Sequence, residues 1–208
     1  MEVNKRTILI DIDGTLYDNF MQDDHNIIKK MFSNNILIML LDKILWYINS
    51  FGIISNTMKI LKFRLVIYAF ISFNNPKSVI NEYNVRYKNL LRLSIMKKKV
   101  LLRKLKQIYE IVFITNNIFA VSVLKKMKSY DVIYAENLRA RKRLIKCSHL
   151  ENKIDWIVGD NYTDDIHFSK KLDVKSIYVG NSKFKSKFKA NYIAMNFAIA
   201  AEMLEYHS

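Results

Sequence analysis

Two aspartates end the first strongly apolar stretch of the chain. In the stretch TILIDIDGTLYD, mostly β-branched apolar residues surround Asp11, and Asp13 and Gly14 follow where a buried strand should break into a turn. Two carboxylates at the carboxyl end of a parallel strand repel each other unless a cation lies between them. Carboxylate oxygens suit magnesium, Mg²⁺, as that cation. The spacing therefore predicts a metal site that includes Asp11 and Asp13.

A second acidic group follows a later apolar stretch, in DWIVGDNYTDD. Gly159 allows a tight turn there, so Asp160 can coordinate the same Mg²⁺ as Asp11. Asp164 can orient a coordinating water or hold the loop, and Asp165 competes with it for that role. A helix N-cap accounts for Asp164 or Asp165 alone, but it does not account for Asp160 next to a turn glycine.

A threonine at the end of a third apolar stretch is a candidate phosphate ligand. Thr115 ends this stretch, EIVFITNN, and Asn116 and Asn117 lead from it into a predicted helix. A hydroxyl group and the backbone N–H groups of a helix N-terminus bind a phosphoryl oxygen well. A strand-end threonine alone does not establish such a site, but its position at the next strand end after DIDGTL predicts that Thr115 and Asn116 bind phosphate.

Strands alternate with helices from about Lys97 to the C-terminus, which is typical of a parallel α/β sheet. We predict a Rossmann-like parallel sheet sandwiched by helices, which the strand of Asp11 joins. Residues 19–96 lack strand alternation and are predicted as an all-helical cap, inserted into a core of residues 1–18 and 97–208. The predicted strands are 110–115, 132–135, 154–158, 176–179 and 191–194, and the predicted helices are 97–107, 118–127, 138–149, 164–171 and 197–206.

Three of these features resemble motifs of the haloacid dehalogenase (HAD) superfamily of phosphohydrolases, namely DIDGTL, the strand-end threonine and GDxxxD. The resemblance implies a HAD-like core in which Asp11 is a nucleophile and Asp13 is a general acid and base. It implies Mg²⁺ bound by Asp11, the backbone carbonyl of Asp13, and Asp160. Gly14, Asp164 and Asp165 support this set.

The family also uses a lysine that holds the nucleophile and the transferring phosphoryl group. Its candidates lie in ENLRARKRLIKC, where we choose Lys142 because it should lie near the start of a helix. Relatives usually place this lysine further upstream of the GD motif, which leaves Arg139, Arg143 and Lys146 as alternatives. An arginine would keep the charge with a different, forked geometry.

The resemblance implies Mg²⁺-dependent hydrolysis of a phosphomonoester through an aspartyl-phosphate intermediate. Dehalogenase members lack an acid at the position of Asp13, because a halide leaves without a proton, so Asp13 favours phosphate chemistry. A phosphomutase is an alternative that would need the cap to hold a phosphosugar in two orientations. The expected partner is a small phosphorylated substrate, whose class the sequence leaves open.

The net charge of +15 favours a partner that carries phosphate, although a genome poor in G and C could account for much of the Lys and Asn content. A different function is a basic module that binds nucleic acid or an anionic membrane, with nucleic acid the less favoured partner. In one segment, basic and aromatic side chains alternate, as a surface that binds phosphates and stacks bases would require. This segment contains Lys183, Phe184, Lys185, Lys187, Phe188 and Lys189.

Two segments of the predicted cap, Ile36–Ile48 and Ile60–Phe73, are apolar nearly all the way round. Neither reaches the roughly 18 uncharged residues that a bilayer span needs. We expect either the core of a helical bundle or a face in peripheral contact with a membrane or partner.

The N-terminus lacks the long uncharged core of a signal peptide, so we expect a cytoplasmic protein. The single Cys147 excludes a disulfide framework and fits a reducing compartment. The four histidines show no paired metal-ligand spacing, so no zinc site is proposed.

Overall fold

The computed structural model describes residues 5–17, 20–50, 58–126, 130–136, 138–150, 152–180 and 190–208. The chain divides into two compact units. We call Met1–Asp18 with Leu93–Ser208 the core unit, and Asn19–Arg92 the helical unit. That the insert acts as a cap stays a prediction.

Within its described residues, the core unit contains a six-stranded parallel sheet with the strand order β3-β2-β1-β4-β5-β6. The predicted α/β fold with a Rossmann-like sheet is confirmed. Strand β1 is central because its residues Ile8, Leu9 and Ile10 are apolar on both faces and fully buried. The strands are β1 Thr7–Asp11, β2 Glu110–Thr115, β3 Asp131–Tyr134, β4 Ile154–Gly159, β5 Lys175–Val179 and β6 Tyr192–Ala194.

The helical unit contains α1 Phe20–Met31, α2 Ile36–Ser50, α3 Met58–Ile71 and most of α4 Pro76–Lys97. Arg64 on α3 donates from Nη2 to both carboxylate oxygens of Asp24 on α1, at 2.7 Å each. Its Nη1 lies 3.7 Å from Oδ1 of Asp42 on α2. The unit therefore contains buried ion pairs that link three of its helices. No helix in the described part of the chain is long and apolar enough to span a bilayer.

The remaining helices belong to the core unit and flank the strands. Ile145 and Phe168 pack with Leu9, Val112 and Ile157 in one buried apolar cluster. The helices are α5 Lys99–Ile108, α6 Ile118–Lys126, α7 Leu138–Cys147, α8 His167–Leu172 and α9 Phe197–Tyr206.

The predicted helix 164–171 begins differently in the structure. A π-helical turn, Tyr162–Ile166, precedes α8. In this turn Ile166 donates its N–H to the carbonyl of Asn161, five residues earlier, at 3.3 Å. Such π turns are frequent at functional sites because they re-aim side chains.

Candidate active site

Three strand ends of the core unit meet at one edge of the sheet. Strand β1 ends at Asp11, β2 ends at Thr115, and β4 ends at Gly159 with Asp160 next. Asp11 is paired in register with Ile114, so the ends of β1 and β2 are level. Parallel strands direct all their carboxyl ends to the same edge, which is where α/β folds bind ligands.

Three carboxylates cluster at this edge. Among the described residues, Asp11, Asp160 and Asp165 each offer an oxygen atom that lies within 4.8 Å of the other two. Burial, together with the charges of Asp165 and Asp160, raises the pKa of Asp11 well above its usual range. Burial and the charges of Asp165 and Asp13 do the same to the pKa of Asp160. Buried like charges resist ionising together, and a metal cation would relieve that repulsion.

Two glycines let these carboxylates approach the backbone, which makes the site a compact set of oxygens. A Cβ at Gly14, whose φ is +87°, would lie 1.9 Å from Oδ2 of Asp160. A Cβ at Gly159 would lie 2.1 Å from Cγ of Asp165. Gly159 does not have a positive φ, so its backbone conformation does not require glycine. Glycine is needed there because a Cβ would collide with the side chain of Asp165. An all-oxygen donor set fits a hard cation such as Mg²⁺.

Asp13 is held by a residue that the sequence analysis did not choose. Nδ2 of Asn117 donates to Oδ2 of Asp13 at 2.7 Å, while Oδ1 of Asn117 accepts from the backbone N–H of Phe119 at 3.0 Å. Asn117 is thus both the cap of α6 and a positioning residue for Asp13. An asparagine directly before a predicted helix was the available signal.

Thr115 is buried at the end of β2, and its Oγ1 accepts from the N–H of Asn117 at 3.0 Å. A hydroxyl that accepts there can still donate its own proton to a phosphoryl oxygen. Asn116, the other predicted phosphate ligand, lies between them and is half-buried. Their roles in phosphate binding stay predictions.

Replacing Asn117 by serine should separate its two roles. Serine caps a helix nearly as well as asparagine, so the free energy of unfolding should fall only by the lost hydrogen bond to Asp13, about 1.5–3 kcal/mol, and alanine should cost more because it also removes the cap. The serine lacks the amide that reaches Asp13, so any catalytic activity that uses Asp13 should fall about tenfold, as for other positioning residues. Urea unfolding and steady-state rates for wild type, Asn117→Ser and Asn117→Ala measure both effects, and equal activity in all three would contradict the positioning role.

The basic residue beside the carboxylates is Arg141 on α7. Its Nη1 donates to Oδ1 of Asp165 at 2.7 Å and to the backbone carbonyl of Asp164, and its Nη2 lies 4.0 Å from Oδ1 of Asp11. Although burial lowers the pKa of Arg141, the charges of Asp165 and Asp11 raise it above its usual value. Arg141 therefore stays charged beside Asp11.

The structure thus places Arg141 beside Asp11, whereas the predicted role of Lys142 stays a prediction. Lys142 follows Arg141 on α7, and its side chain is exposed. The alternatives Arg139, Arg143 and Lys146 are exposed as well. A helix turns by about 100° per residue, so neighbouring residues face different directions. Arg141 falls in the apolar stripe of α7 with Leu138 and Ile145, and this spacing was the missed signal.

The structure separates Asp164 from Asp165. Asp165 is buried, and its carboxylate accepts hydrogen bonds from Arg141 and from the backbone N–H of Asn161, the latter at 3.0 Å. Asp164 is half-buried and donates its backbone N–H to Oδ1 of Asn161 at 3.1 Å. The side chain that ties the loop to the cluster is therefore that of Asp165.

Tyr178 on β5 lies near the carboxylate of Asp160, and the sequence patterns did not single it out. It pairs in register with Gly159 and is half-buried. Burial and the charge of Asp160 raise the pKa of Tyr178 to about 12, so its hydroxyl stays neutral beside the carboxylates. The segment Lys183–Lys189, proposed as a binding surface, lies outside the described residues.

Replacing Asp160 by asparagine should stabilise the protein in EDTA. Because the pKa of Asp160 is raised above its ordinary 3.8, its contribution to stability is greatest below that pH and is lost as the pH rises through the folded-state pKa. At neutral pH the neutral amide removes this penalty, and Tm should rise by about 2–4 °C. Added Mg²⁺ should raise the Tm of wild type and leave that of Asp160→Asn unchanged. Thermal unfolding measures these changes, with Asp131→Asn as a control at an exposed position. A Tm for Asp160→Asn below that of wild type in EDTA would contradict the prediction.

Comparison with known proteins was made by sequence and by structure. No protein-family profile and no curated protein sequence matches the chain. Among solved structures, the HAD hydrolase YfnB from Bacillus subtilis, in a form bound to magnesium, is 13% identical with a TM-score of 0.61, covering 97% of this chain and 99% of that one. A 2-haloacid dehalogenase from Pseudomonas syringae is 12% identical with a TM-score of 0.56, covering 98% and 100%.

A HAD phosphatase from Thermococcus onnurineus is 14% identical with a TM-score of 0.52, covering 96% of this chain and 97% of that one. The similarity thus extends over nearly the whole chain and includes both dehalogenases and phosphatases. At these identities the similarity concerns the fold alone. The fold of this chain is therefore similar to that of these HAD hydrolase, dehalogenase and phosphatase structures.

Proposed function

We propose that this protein is a Mg²⁺-dependent phosphatase that hydrolyses a phosphomonoester through an aspartyl phosphate on Asp11. The arrangement around Asp11 is the main support for this proposal. Nη2 of the buried Arg141 lies 4.0 Å from Oδ1 of Asp11, and the carboxylate of Asp160 belongs to the same cluster. Asp13, held by Asn117 at 2.7 Å, supplies a fixed acid and base two residues after the nucleophile.

Asp11, Asp160 and the backbone carbonyl of Asp13 would hold Mg²⁺. The ion would supply positive charge against the carboxylates and against the charge that develops on the transferring phosphoryl group. Asp165 belongs to the same cluster, but its carboxylate already accepts from Arg141 and Asn161. We therefore assign Asp165 to positioning Arg141 and the loop.

In the first step, a carboxylate oxygen of Asp11 attacks phosphorus, and the bond between phosphorus and the substrate oxygen breaks. Asp13 gives its proton to the leaving alkoxide, which departs as an alcohol. Arg141 and the hydroxyl of Thr115 stabilise the phosphoryl oxygens during the transfer.

In the second step, Asp13 accepts a proton from water, and the water oxygen attacks phosphorus. The bond between phosphorus and the oxygen of Asp11 breaks, which releases phosphate and restores the carboxylate of Asp11 and the protonated carboxyl group of Asp13. The amide of Asn117 keeps Asp13 at the same place in both steps. A single carboxyl group can thus serve as acid and then as base.

Asp13 is also the reason to prefer phosphate over haloacid substrates. An alkoxide leaving group needs a proton, whereas a halide leaves as a stable anion. An acid oriented by a buried amide is useful only for the first of these reactions.

Hydrolysis of p-nitrophenyl phosphate tests the proposal, with release of halide from 2-chloropropionate measured in parallel. We expect hydrolysis with Mg²⁺, a fall of at least about 100-fold in EDTA, and recovery with excess Mg²⁺. Release of halide without hydrolysis of any phosphomonoester in a panel would favour a dehalogenase. Hydrolysis unaffected by EDTA would contradict the metal-dependent mechanism, and transfer of phosphate to a second sugar hydroxyl would favour a phosphomutase.

A further inference from the structure

Helix α2 exposes its apolar side chains and buries a charged one. Leu37, Leu40 and Ile44 are 56%, 55% and 55% exposed, whereas Asp42 is 1% exposed. The three leucine and isoleucine residues lie within about a third of the helix circumference, because residues 3, 4 and 7 apart share a face. A helix at the surface of a water-soluble protein normally has the opposite orientation.

Helix α3 has the same inverted pattern. Phe63, Ile67 and Phe70 follow one another at spacings of four and three residues and are 66%, 36% and 68% exposed. The opposite face of α3 carries Arg64 and Tyr68, which are buried. We call Leu37, Leu40 and Ile44 with Phe63, Ile67 and Phe70 the outer faces of α2 and α3.

The buried polar groups fix this orientation. Tyr68 donates its hydroxyl to Oδ1 of Asp42 at 3.1 Å, and Nδ1 of His25 lies 2.6 Å from Oδ2 of the same carboxylate. Arg64 donates to Asp24. Turning either outer face inward would break these bonds and leave buried charges unpaired, which is strongly unfavourable. The apolar exposure is therefore a stable property of the unit.

The charges beside the outer faces select the kind of partner. The one acidic residue of α2 is the buried Asp42, and α3 has none. Lys43 precedes Ile44, Lys62 precedes Phe63, and both lysines are exposed. A second copy docked on these faces would bring lysines together with no carboxylate from either helix to pair them, whereas anionic lipid headgroups complement lysine ammonium groups.

We propose that the outer faces of α2 and α3 bind the surface of an anionic membrane. The leucine, isoleucine and phenylalanine side chains would enter the boundary between headgroups and acyl chains, and Lys43 and Lys62 would remain at the headgroups. The helices would lie along the surface, since α2 has 15 residues and α3 has 14. This inference does not depend on the chemistry at Asp11.

Flotation of the whole 208-residue chain with lipid vesicles tests the proposal. One set contains phosphatidylcholine alone and the other contains phosphatidylcholine with phosphatidylglycerol. We expect binding to the anionic vesicles, and binding about tenfold weaker for the double variant Phe63→Gln/Phe70→Gln. Val85→Gln on α4, where valine is 59% exposed, is the matched control and should bind like wild type.

A charge test complements the apolar one. Lys43→Glu/Lys62→Glu should lose the preference for anionic vesicles, and about 0.5 M NaCl should weaken binding of wild type. Far-UV circular dichroism checks folding, and Leu40→Gln tests α2 separately if the α3 variant does not fold. Absence of binding to anionic vesicles, or equal binding by wild type and a folded Phe63→Gln/Phe70→Gln, would overturn the proposal. Self-association that this variant abolishes would assign the faces to a second copy instead.

Discussion

Replacing Asp11 by asparagine should lower the hydrolysis of p-nitrophenyl phosphate by about 10⁴-fold or more. The amide is nearly isosteric with the carboxylate, but it is neutral and a poor nucleophile, so the aspartyl phosphate does not form. The effect should fall on kcat, because the residue acts in the chemical step. Acid-quenched wild-type enzyme should carry a phosphoryl group on the peptide that contains Asp11, and the variant should carry none.

Asp131→Asn is the matched control, because Asp131 begins β3 at the amino edge of the sheet and is exposed. The control should keep its activity and its Tm. The Tm of Asp11→Asn shows whether lost activity comes from unfolding. This Tm should not fall, because burial and neighbouring carboxylates raise the pKa of Asp11 and the amide removes that unfavourable charge. A folded Asp11→Asn that retains most of the wild-type activity would rule out Asp11 as the nucleophile.

Replacing Arg141 by alanine should affect both stability and activity. The substitution leaves the buried Asp165 without its ion-pair partner at 2.7 Å, so the free energy of unfolding should fall by about 3–5 kcal/mol. It also removes the cation 4.0 Å from Asp11, so activity should fall by at least about 100-fold at temperatures where the variant is folded. Urea unfolding and steady-state kinetics measure the two effects.

Lys142→Ala is the natural comparison, since it removes a positive charge one residue away on the exposed side of α7. Its stability should stay within about 0.5 kcal/mol of wild type, with activity unchanged. Arg141→Lys keeps the charge but has a single terminal nitrogen, so it cannot contact Asp165 and approach Asp11 through two nitrogens as Nη1 and Nη2 do, and it should recover only part of the stability. If Arg141→Ala kept wild-type activity and Lys142→Ala were inactive, Lys142 would be the basic residue that acts with Asp11.

The sequence by itself predicted the sheet and the polar residues at its strand ends. Strand β2 was predicted at 110–115 and observed as Glu110–Thr115, and α9 was likewise predicted at its observed bounds, 197–206. Both elements are specified by local patterns, namely a short apolar run and a helix that begins after the asparagine cap Asn196. Because every strand in the described residues is parallel, the order of elements also determined that Asp11, Thr115 and Asp160 meet at one edge.

The tertiary structure alone decided which side chains turn toward that edge. Arg141 instead of Lys142, Asn117 beside Asp13, and Asp165 instead of Asp164 are each choices between neighbours or near neighbours in sequence. On α7, the neighbours Arg141 and Lys142 point in directions that differ by about 100°. Packing fixes the rotation, since α7 directs Ile145 into the apolar cluster under the sheet and thereby carries Arg141 to the carboxylates. That rotation depends on contacts with residues distant in the chain, which local sequence patterns do not contain.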